Sequence, residues 1–228
     1  MRSLIPNMLT SLNLVFGMGA IIATIQKNFF VAALFIVLAM VADGLDGRVA
    51  RFFNASSEFG KELDSLCDLV SFGVAPAILA YSFLLKDFGV LGYFAAVMFA
   101  TCGALRLARF NVNTSVVKGY FMGLPIPAGG CFLATFIMLG IEPNGFIFPV
   151  MVMVIGYLMV STVRYPDFKG KGEKIRQIPI LITILLAIAV IYTVIQLGNI
   201  WGALFIPFIA YTILGISNTF FALFDKKL

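Results

Sequence analysis

Residues 43–68 read D43-G-L-D46-G-R-V-A-R51-F-F-N-A-S-S-E-F-G60-K-E-L-D64-S-L-C-D68, a stretch with four aspartates in a chain that is otherwise mostly apolar. It contains two pairs of aspartates, Asp43 with Asp46 and Asp64 with Asp68, spaced three and four residues apart. Residues at these spacings share one face of a helix. We therefore expect two helices whose carboxylates face each other. Four acids this close in an apolar setting require a compensating cation.

The surrounding sequence is typical of a membrane protein. Of its 228 residues, 61% are hydrophobic and only 12% are charged, whereas soluble domains carry about 25% charged residues. No polar stretch is long enough for a separate soluble domain, so we expect one integral membrane domain over residues 1–228. The first apolar stretch continues directly into the bundle without a clear cleavage site, so we expect no cleaved signal peptide. The predicted fold class is an all-α polytopic membrane protein.

Eight apolar stretches approach the length of about 20 residues that crosses a bilayer. The predicted spans are residues 4–25, 29–53, 60–85, 89–110, 123–141, 146–164, 177–197 and 200–223. If both termini are cytoplasmic, all 16 lysines and arginines except Lys27 and Lys86 lie on the cytoplasmic side. This positive-inside bias supports an even number of spans. It also places the aspartates at the cytoplasmic face of what we expect to be a prokaryotic cell membrane.

Other residue types narrow the possible chemistry. Histidine is absent, so a metal site must be built from oxygen ligands, which favours Mg²⁺, Mn²⁺ or Ca²⁺ over zinc. Cys67, Cys102 and Cys131 lie in apolar segments and are interpreted as small buried residues. The net charge of +5 is explained by topology and attraction to anionic headgroups, so we expect no nucleic-acid partner.

Glycines and arginine beside the acids indicate the kind of ligand. Gly44 and Gly47 remove side chains next to the carboxylates, so a bulky ligand can approach the backbone. Arg51 follows Gly47 by one helical turn, and its guanidinium can make a bidentate contact with phosphate. A divalent cation, carboxylates and arginine together suit a diphosphate. A salt-bridge network between the second and third spans is an alternative, but it leaves the spacing and the glycines unexplained.

The pattern D43-x2-D46-G47-x2-A50-R51-x8-G60-x3-D64-x3-D68 resembles the signature of the CDP-alcohol phosphatidyltransferases at every fixed position. The resemblance implies a six-helix membrane core, usually a homodimer, over residues 1–165. A linker and two further helices follow in residues 166–228. It also implies a site with Mg²⁺ or Mn²⁺, and we expect two ions. Asp43, Asp46 and Asp64 match metal ligands, and Asp68 matches a metal ligand that is also the general base.

The same resemblance implies a set of contacts to a CDP-linked lipid. The segment I5-P6-N7-M8-L9-T10 is similar to the Pro-Asn-x-x-Thr start of the family, although Asn7 and Thr10 could instead cap a helix. The predicted CDP-lipid contacts are Pro6, Asn7, Thr10, Gly44, Gly47, Ala50, Arg51, Ser57, Gly60 and Lys61.

Three further segments indicate the acceptor alcohol. R106-L-A-R109-F-N, G123-L-P-I-P-A128 and R164-Y-P-D-F-K-G170 resemble the phosphatidylserine synthase branch of the family. The expected substrates are then L-serine and CDP-diacylglycerol or a CDP-archaeol-type lipid within the membrane lipids. Because serine carries a carboxylate, we expect nearby cations, and the predicted contacts are Arg106, Arg109, Lys118 and Arg164. Each could instead anchor the chain at the cytoplasmic face.

Two alternative functions remain at this point. A sister transferase that uses glycerol phosphate or inositol phosphate would need similar arginines for the acceptor phosphate. A cation-coupled transporter would also explain buried acids, but transport sites tend to lie near the bilayer midplane. Such a transporter leaves the intervals between Gly47, Ala50, Arg51 and Gly60 unexplained.

Overall fold

Helices make up nearly all of the part of the chain that can be described. The structure is a computed structural model that describes residues 4–53, 57–113, 120–166 and 200–225, with the single residues 188 and 192. The α-helices are α1 Leu4–Ile25, α2 Phe29–Phe52, α3 Glu58–Asp68, α4 Ala75–Phe83, α5 Gly89–Asn113, α6 Ile126–Met138, α7 Ile147–Val160 and α8 Phe205–Asp225. A π-helical turn, Leu69–Val74, joins α3 to α4, and 3-10 turns cover Leu85–Phe88 and Ile200–Leu204. Two short strands are β1 Tyr120–Met122 and β2 Arg164–Pro166.

The lengths of the helices confirm an all-α polytopic membrane protein. Among the described residues, five helical stretches are long and apolar enough to cross a membrane: Pro6–Ile25, Phe29–Phe52, Glu58–Phe83, Leu85–Val112 and Trp201–Phe220. Helices α6 and α7, of 13 and 14 residues, are apolar but shorter. The predicted span at 177–197 lies outside the described residues, apart from 188 and 192. The total of eight spans therefore stays a prediction.

The predicted helices at 123–141 and 146–164 were too long. Gly123 adopts a φ of 80°, a left-handed conformation, and its N–H donates to the carbonyl of Val163 at 2.8 Å. Helix α6 then begins after Pro125, so the prolines of this segment lie at the start of the helix. Helix α7 ends at Val160 because Ser161 is extended. Strand β2 follows and pairs antiparallel with β1, with Met122 opposite Arg164.

Close helix contacts bring the elements of the site together. Helix α1 packs along α2, α5 packs along α7, and α6 packs against both α2 and α8. Small residues permit these approaches, as is usual between membrane helices. A β-carbon added at Gly130 of α6 would lie 2.7 Å from the carbonyl oxygen of Phe72, and one at Gly156 of α7 would lie 3.2 Å from Cα of Phe99. Helix α1 also contacts α3, so that the first half of α1, the end of α2 and the start of α3 lie together.

Candidate active site

Three of the four aspartates form a compact cluster. Asp43 from α2 and Asp64 and Asp68 from α3 each offer a carboxylate oxygen, and these atoms lie within 4.8 Å of one another. Asp43 and Asp64 are half-buried, and Asp68 is only 7% exposed. Carboxylate oxygens are the ligands that Mg²⁺ and Mn²⁺ prefer, and repulsion between these acids favours a cation among them. The cluster could therefore hold a divalent metal ion.

Asp46 lies outside that group of three. It is 6% exposed, and its Oδ2 accepts a hydrogen bond of 2.6 Å from Oγ1 of Thr10 on α1. Thr10 is itself buried, and its hydroxyl also lies 3.1 Å from the carbonyl oxygen of Pro6. Thr10 thus orients an acid instead of capping α1. The role of Asp46 as a metal ligand stays a prediction.

A cleft of about 200 Å³ opens beside the cluster. Its lining residues are Pro6, Asn7, Thr10, Asp46, Gly47, Ala50, Arg51, Ser57, Gly60, Lys61 and Asp64. Every predicted CDP-lipid contact except Gly44 belongs to this lining. Gly44 is exposed, and a β-carbon added there would have no neighbour within 4 Å. Residues up to 58 positions apart in sequence are therefore gathered into one polar cleft.

Local geometry explains the shape of the cleft. Ser57 caps α3, because its Oγ accepts a hydrogen bond of 3.0 Å from the N–H of Gly60. A β-carbon added at Gly60 would lie 3.1 Å from that oxygen and 3.4 Å from Oδ1 of Asn7. One added at Gly47 would lie 3.9 Å from Nη1 of Arg51, so the guanidinium folds back over the glycine. These glycines keep the cleft wide enough for a ligand.

Lys61 is held only weakly. Its Nζ forms an ion pair of 3.0 Å with Glu58, and the two side chains are 66% and 91% exposed. Ion pairs this exposed contribute little stability. Lys61 can therefore turn toward an anionic ligand in the cleft.

The two arginines of α5 have different surroundings. Arg106 is 7% exposed and lies close enough to Asp68 and Asp43 for electrostatic attraction, with its guanidinium 5.0 Å from the ring centre of Phe110. The guanidinium of Arg109 instead donates to the carbonyls of Val160 at 2.9 Å, Met122 at 3.0 Å and Ser161 at 3.1 Å. Arg109 thus joins α5 to the end of α7 and to β1.

The structure gives less information on the other two predicted serine contacts, Arg164 and Lys118. Arg164 is in β2, and its backbone N–H donates to Oγ1 of Thr219 on α8 at 2.9 Å. Lys118 lies outside the described residues. The predicted serine contacts of Arg109, Arg164 and Lys118 remain predictions.

Two polar contacts, one to the cluster and one beside it, were not predicted from the sequence. Nδ2 of Asn13 on α1 donates to Oδ1 of Asp68 at 3.0 Å. Nδ2 of Asn111 on α5 donates to Oγ of Ser65 at 3.0 Å, next to the cluster residue Asp64. A signal for Asn13 was available, since it follows Thr10 by three residues and is a polar residue on the same face of an apolar helix.

Comparison with known proteins identifies the class. The family model described as CDP-alcohol phosphatidyltransferase matches residues 3–165. The chain belongs to this family, and it is an integral membrane protein.

Individual relatives point to one branch of the family. The chain is 41% identical over 165 residues to a CDP-diacylglycerol–serine O-phosphatidyltransferase of Bacillus subtilis, with 72% of this chain and 91% of the relative covered. A protein of the same name from Helicobacter pylori is 40% identical over 173 residues, 73% of each chain. An archaetidylserine synthase of Methanothermobacter thermautotrophicus is 38% identical over 170 residues, with 74% of this chain and 72% of the relative covered.

Replacing one cluster carboxylate by an amide should weaken metal binding. We expect Asp64→Asn to lower the affinity for Mn²⁺ by more than about 100-fold, beyond the loss typical of changes outside the ligand shell. Titration of purified protein with Mn²⁺, followed by electron paramagnetic resonance, measures this affinity. Glu62→Gln is the matched control, because Glu62 is an exposed acid on the same helix. Equal affinity in the Asp64 variant and the wild type would contradict a metal site at this cluster.

Proposed function

We propose that this protein transfers a phosphatidyl group from a CDP-linked lipid to L-serine, which gives a phosphatidylserine-type lipid and CMP. The single observation that carries the proposal is that the carboxylate cluster adjoins the cleft lined by Arg51, Lys61 and the glycines. The names of the relatives support serine as the acceptor. The archaeal relative supports an ether-linked lipid as an alternative to CDP-diacylglycerol.

The CDP moiety occupies the cleft in this proposal. Arg51 and Lys61 contact the diphosphate, and Gly47, Ala50 and Gly60 leave room for it. Asp43, Asp46, Asp64 and Asp68 would hold two divalent cations, Mg²⁺ or Mn²⁺. Bound cations would offset the diphosphate charge and stabilise CMP as a leaving group.

The transfer itself needs one proton acceptor and one displacement. Asp68 takes the proton of the serine hydroxyl, and the serine oxygen forms a bond to the lipid-bearing phosphorus. The bond between that phosphorus and the CMP oxygen breaks, and its electron pair leaves with CMP. The chain contains no histidine, so direct displacement is preferred to a covalent enzyme intermediate.

Arg106 is the best-placed group to bind the serine carboxylate. It is buried beside Asp68, the proposed base, so a carboxylate held there would bring the serine hydroxyl near that base. Arg109 is less suited, because its guanidinium already donates to backbone carbonyls. An acceptor phosphate would also bind Arg106, which is why a sister transferase remains the principal alternative.

The arrangement in the membrane follows from the distribution of charge. We propose that both termini and the active site face the cytoplasm, because the lysines and arginines lie overwhelmingly on one side of the predicted spans. We also propose a homodimer, the usual state in the family, with residues 1–165 as the family core of one domain.

A comparison of acceptors tests the proposed reaction. Purified protein receives CDP-diacylglycerol, Mn²⁺ or Mg²⁺, and one labelled acceptor at a time: L-serine, glycerol phosphate or inositol phosphate. We expect label from serine alone to enter lipid, with equimolar release of CMP. Labelling from either phosphate acceptor instead would favour the sister transferase. Ion flux in liposomes without CMP release would favour the transporter.

A second prediction concerns Arg106. We expect Arg106→Gln to raise the KM for serine by about 10- to 100-fold, the worth of a hydrogen bond to a charged group. The KM for CDP-diacylglycerol should change little. Steady-state kinetics with each substrate varied measures both constants. The control is Arg48→Gln, which removes an exposed arginine of α2 that does not line the cleft. An unchanged KM for serine would exclude Arg106 from its site.

A further inference from the structure

The side chain of Asn13 on α1 is completely buried, and its amide hydrogen-bonds one charged group among the described residues. Its exposure is 0%, and its Nδ2 donates to Oδ1 of Asp68 at 3.0 Å. Asn13 does not line the cleft in which the CDP moiety is proposed to bind. The bond to Asp68 is therefore the direct link between the amide of Asn13 and the candidate site.

The backbone around both residues is tightly fixed. Oγ of Ser71, in the π-helical turn after Asp68, donates to the carbonyl oxygen of Asn13 at 3.0 Å. One turn further along α1, a β-carbon added at Gly17 would lie 2.9 Å from Cα of Ser71. Turns of π-helix often occur at functional sites. Helix α1 is thereby held against the turn, and the amide of Asn13 faces Asp68 from a fixed distance.

The chemistry of the amide indicates a functional role for the contact between Asn13 and Asp68. Oδ1 of Asn13 is buried and accepts no hydrogen bond from the described residues. A buried unsatisfied carbonyl is destabilising, and an apolar side chain of similar shape would avoid that cost. The opposite amide orientation would place two oxygens together, so Asp68 determines how the amide points. What the amide provides is a donor for Asp68.

We infer that Asn13 is a positioning residue that fixes the carboxylate of Asp68. The bond from Asn13 restrains Oδ1 of Asp68 in its position relative to Asp43 and Asp64. Thr10, three residues earlier on α1, bonds Asp46 in the same manner. Helix α1 thus orients two acids from two other helices. The effect on transfer rests on the proposed function, whereas the effect on metal binding does not.

A double-mutant cycle tests the inference without any substrate. The Mn²⁺ affinity is measured by electron paramagnetic resonance for the wild type, Asn13→Leu, Asp68→Asn and the double variant. We expect Asn13→Leu to weaken binding by about 10- to 100-fold, as for other partners of metal ligands. In the Asp68→Asn background, Asn13→Leu should lower the Mn²⁺ affinity by no more than about a further twofold. Thr24→Val is the control, because it removes a buried hydroxyl from the same helix, 11 residues away.

Asn13→Ala is a second variant, for the case that leucine does not fit at this position. Steady-state kinetics of both variants supply a second readout. We expect kcat to fall by about 10- to 100-fold while the KM for serine changes little, the pattern of a group that acts on the reacting carboxylate. The inference is wrong if the folded Asn13 variants keep the wild-type Mn²⁺ affinity and kcat. It is equally wrong if Asn13→Leu weakens Mn²⁺ binding as much in the Asp68→Asn background as in the wild type. It is also wrong if neither variant folds, because Asn13 then serves the helix junction. Serine transfer by the wild type is tested by the acceptor assay, so failure of the proposed function can be told apart from failure of this inference.

Discussion

Negative charge in an apolar helix bundle is the constraint on which this structure depends. Asp43, Asp64 and Asp68 offer oxygens within 4.8 Å of one another, at the junction of helices that are otherwise suited to lipid. Such a cluster is stable only when positive charge or hydrogen-bond donors accompany it. The buried Arg106 and the amide of Asn13 on α1 meet part of this requirement. Divalent cations would offset the remaining negative charge of the carboxylates and that of a diphosphate substrate. The acids that are unfavourable for the apolar fold thus form the candidate binding site.

Helix α1 connects the fold to the chemistry. Most of its length is apolar and faces α2, yet Thr10 and Asn13 present donors to acids of α2 and α3. The close approach at Gly17 and the bond from Ser71 keep this helix in place. Positioned groups of this kind cost stability locally and are maintained by the packing around them.

The site was largely predictable from the sequence because its spacing is local. Helical periodicity predicts that each pair of acids shares a helix face. Three of the four acids meet in the cluster, and nearly all predicted CDP-lipid contacts line one cleft. Features that depend on distant partners were not predictable. The ends of α6 and α7 depend on the pairing of β1 with β2, and an arginine such as Arg109 looks the same in sequence whether it binds carbonyls or substrate. Asn13 lies on the same face of α1 as Thr10, but the sequence does not show that its partner is Asp68, 55 residues away.

The most direct measurement is the serine-dependent release of CMP from CDP-diacylglycerol by purified protein, before and after removal of divalent cations with EDTA. We predict that activity is lost on removal and returns when Mn²⁺ or Mg²⁺ is added back, because the clustered carboxylates and the diphosphate repel one another without a cation. Full activity in the metal-free protein would contradict the assignment of Asp43, Asp64 and Asp68 as the metal-dependent centre of the reaction.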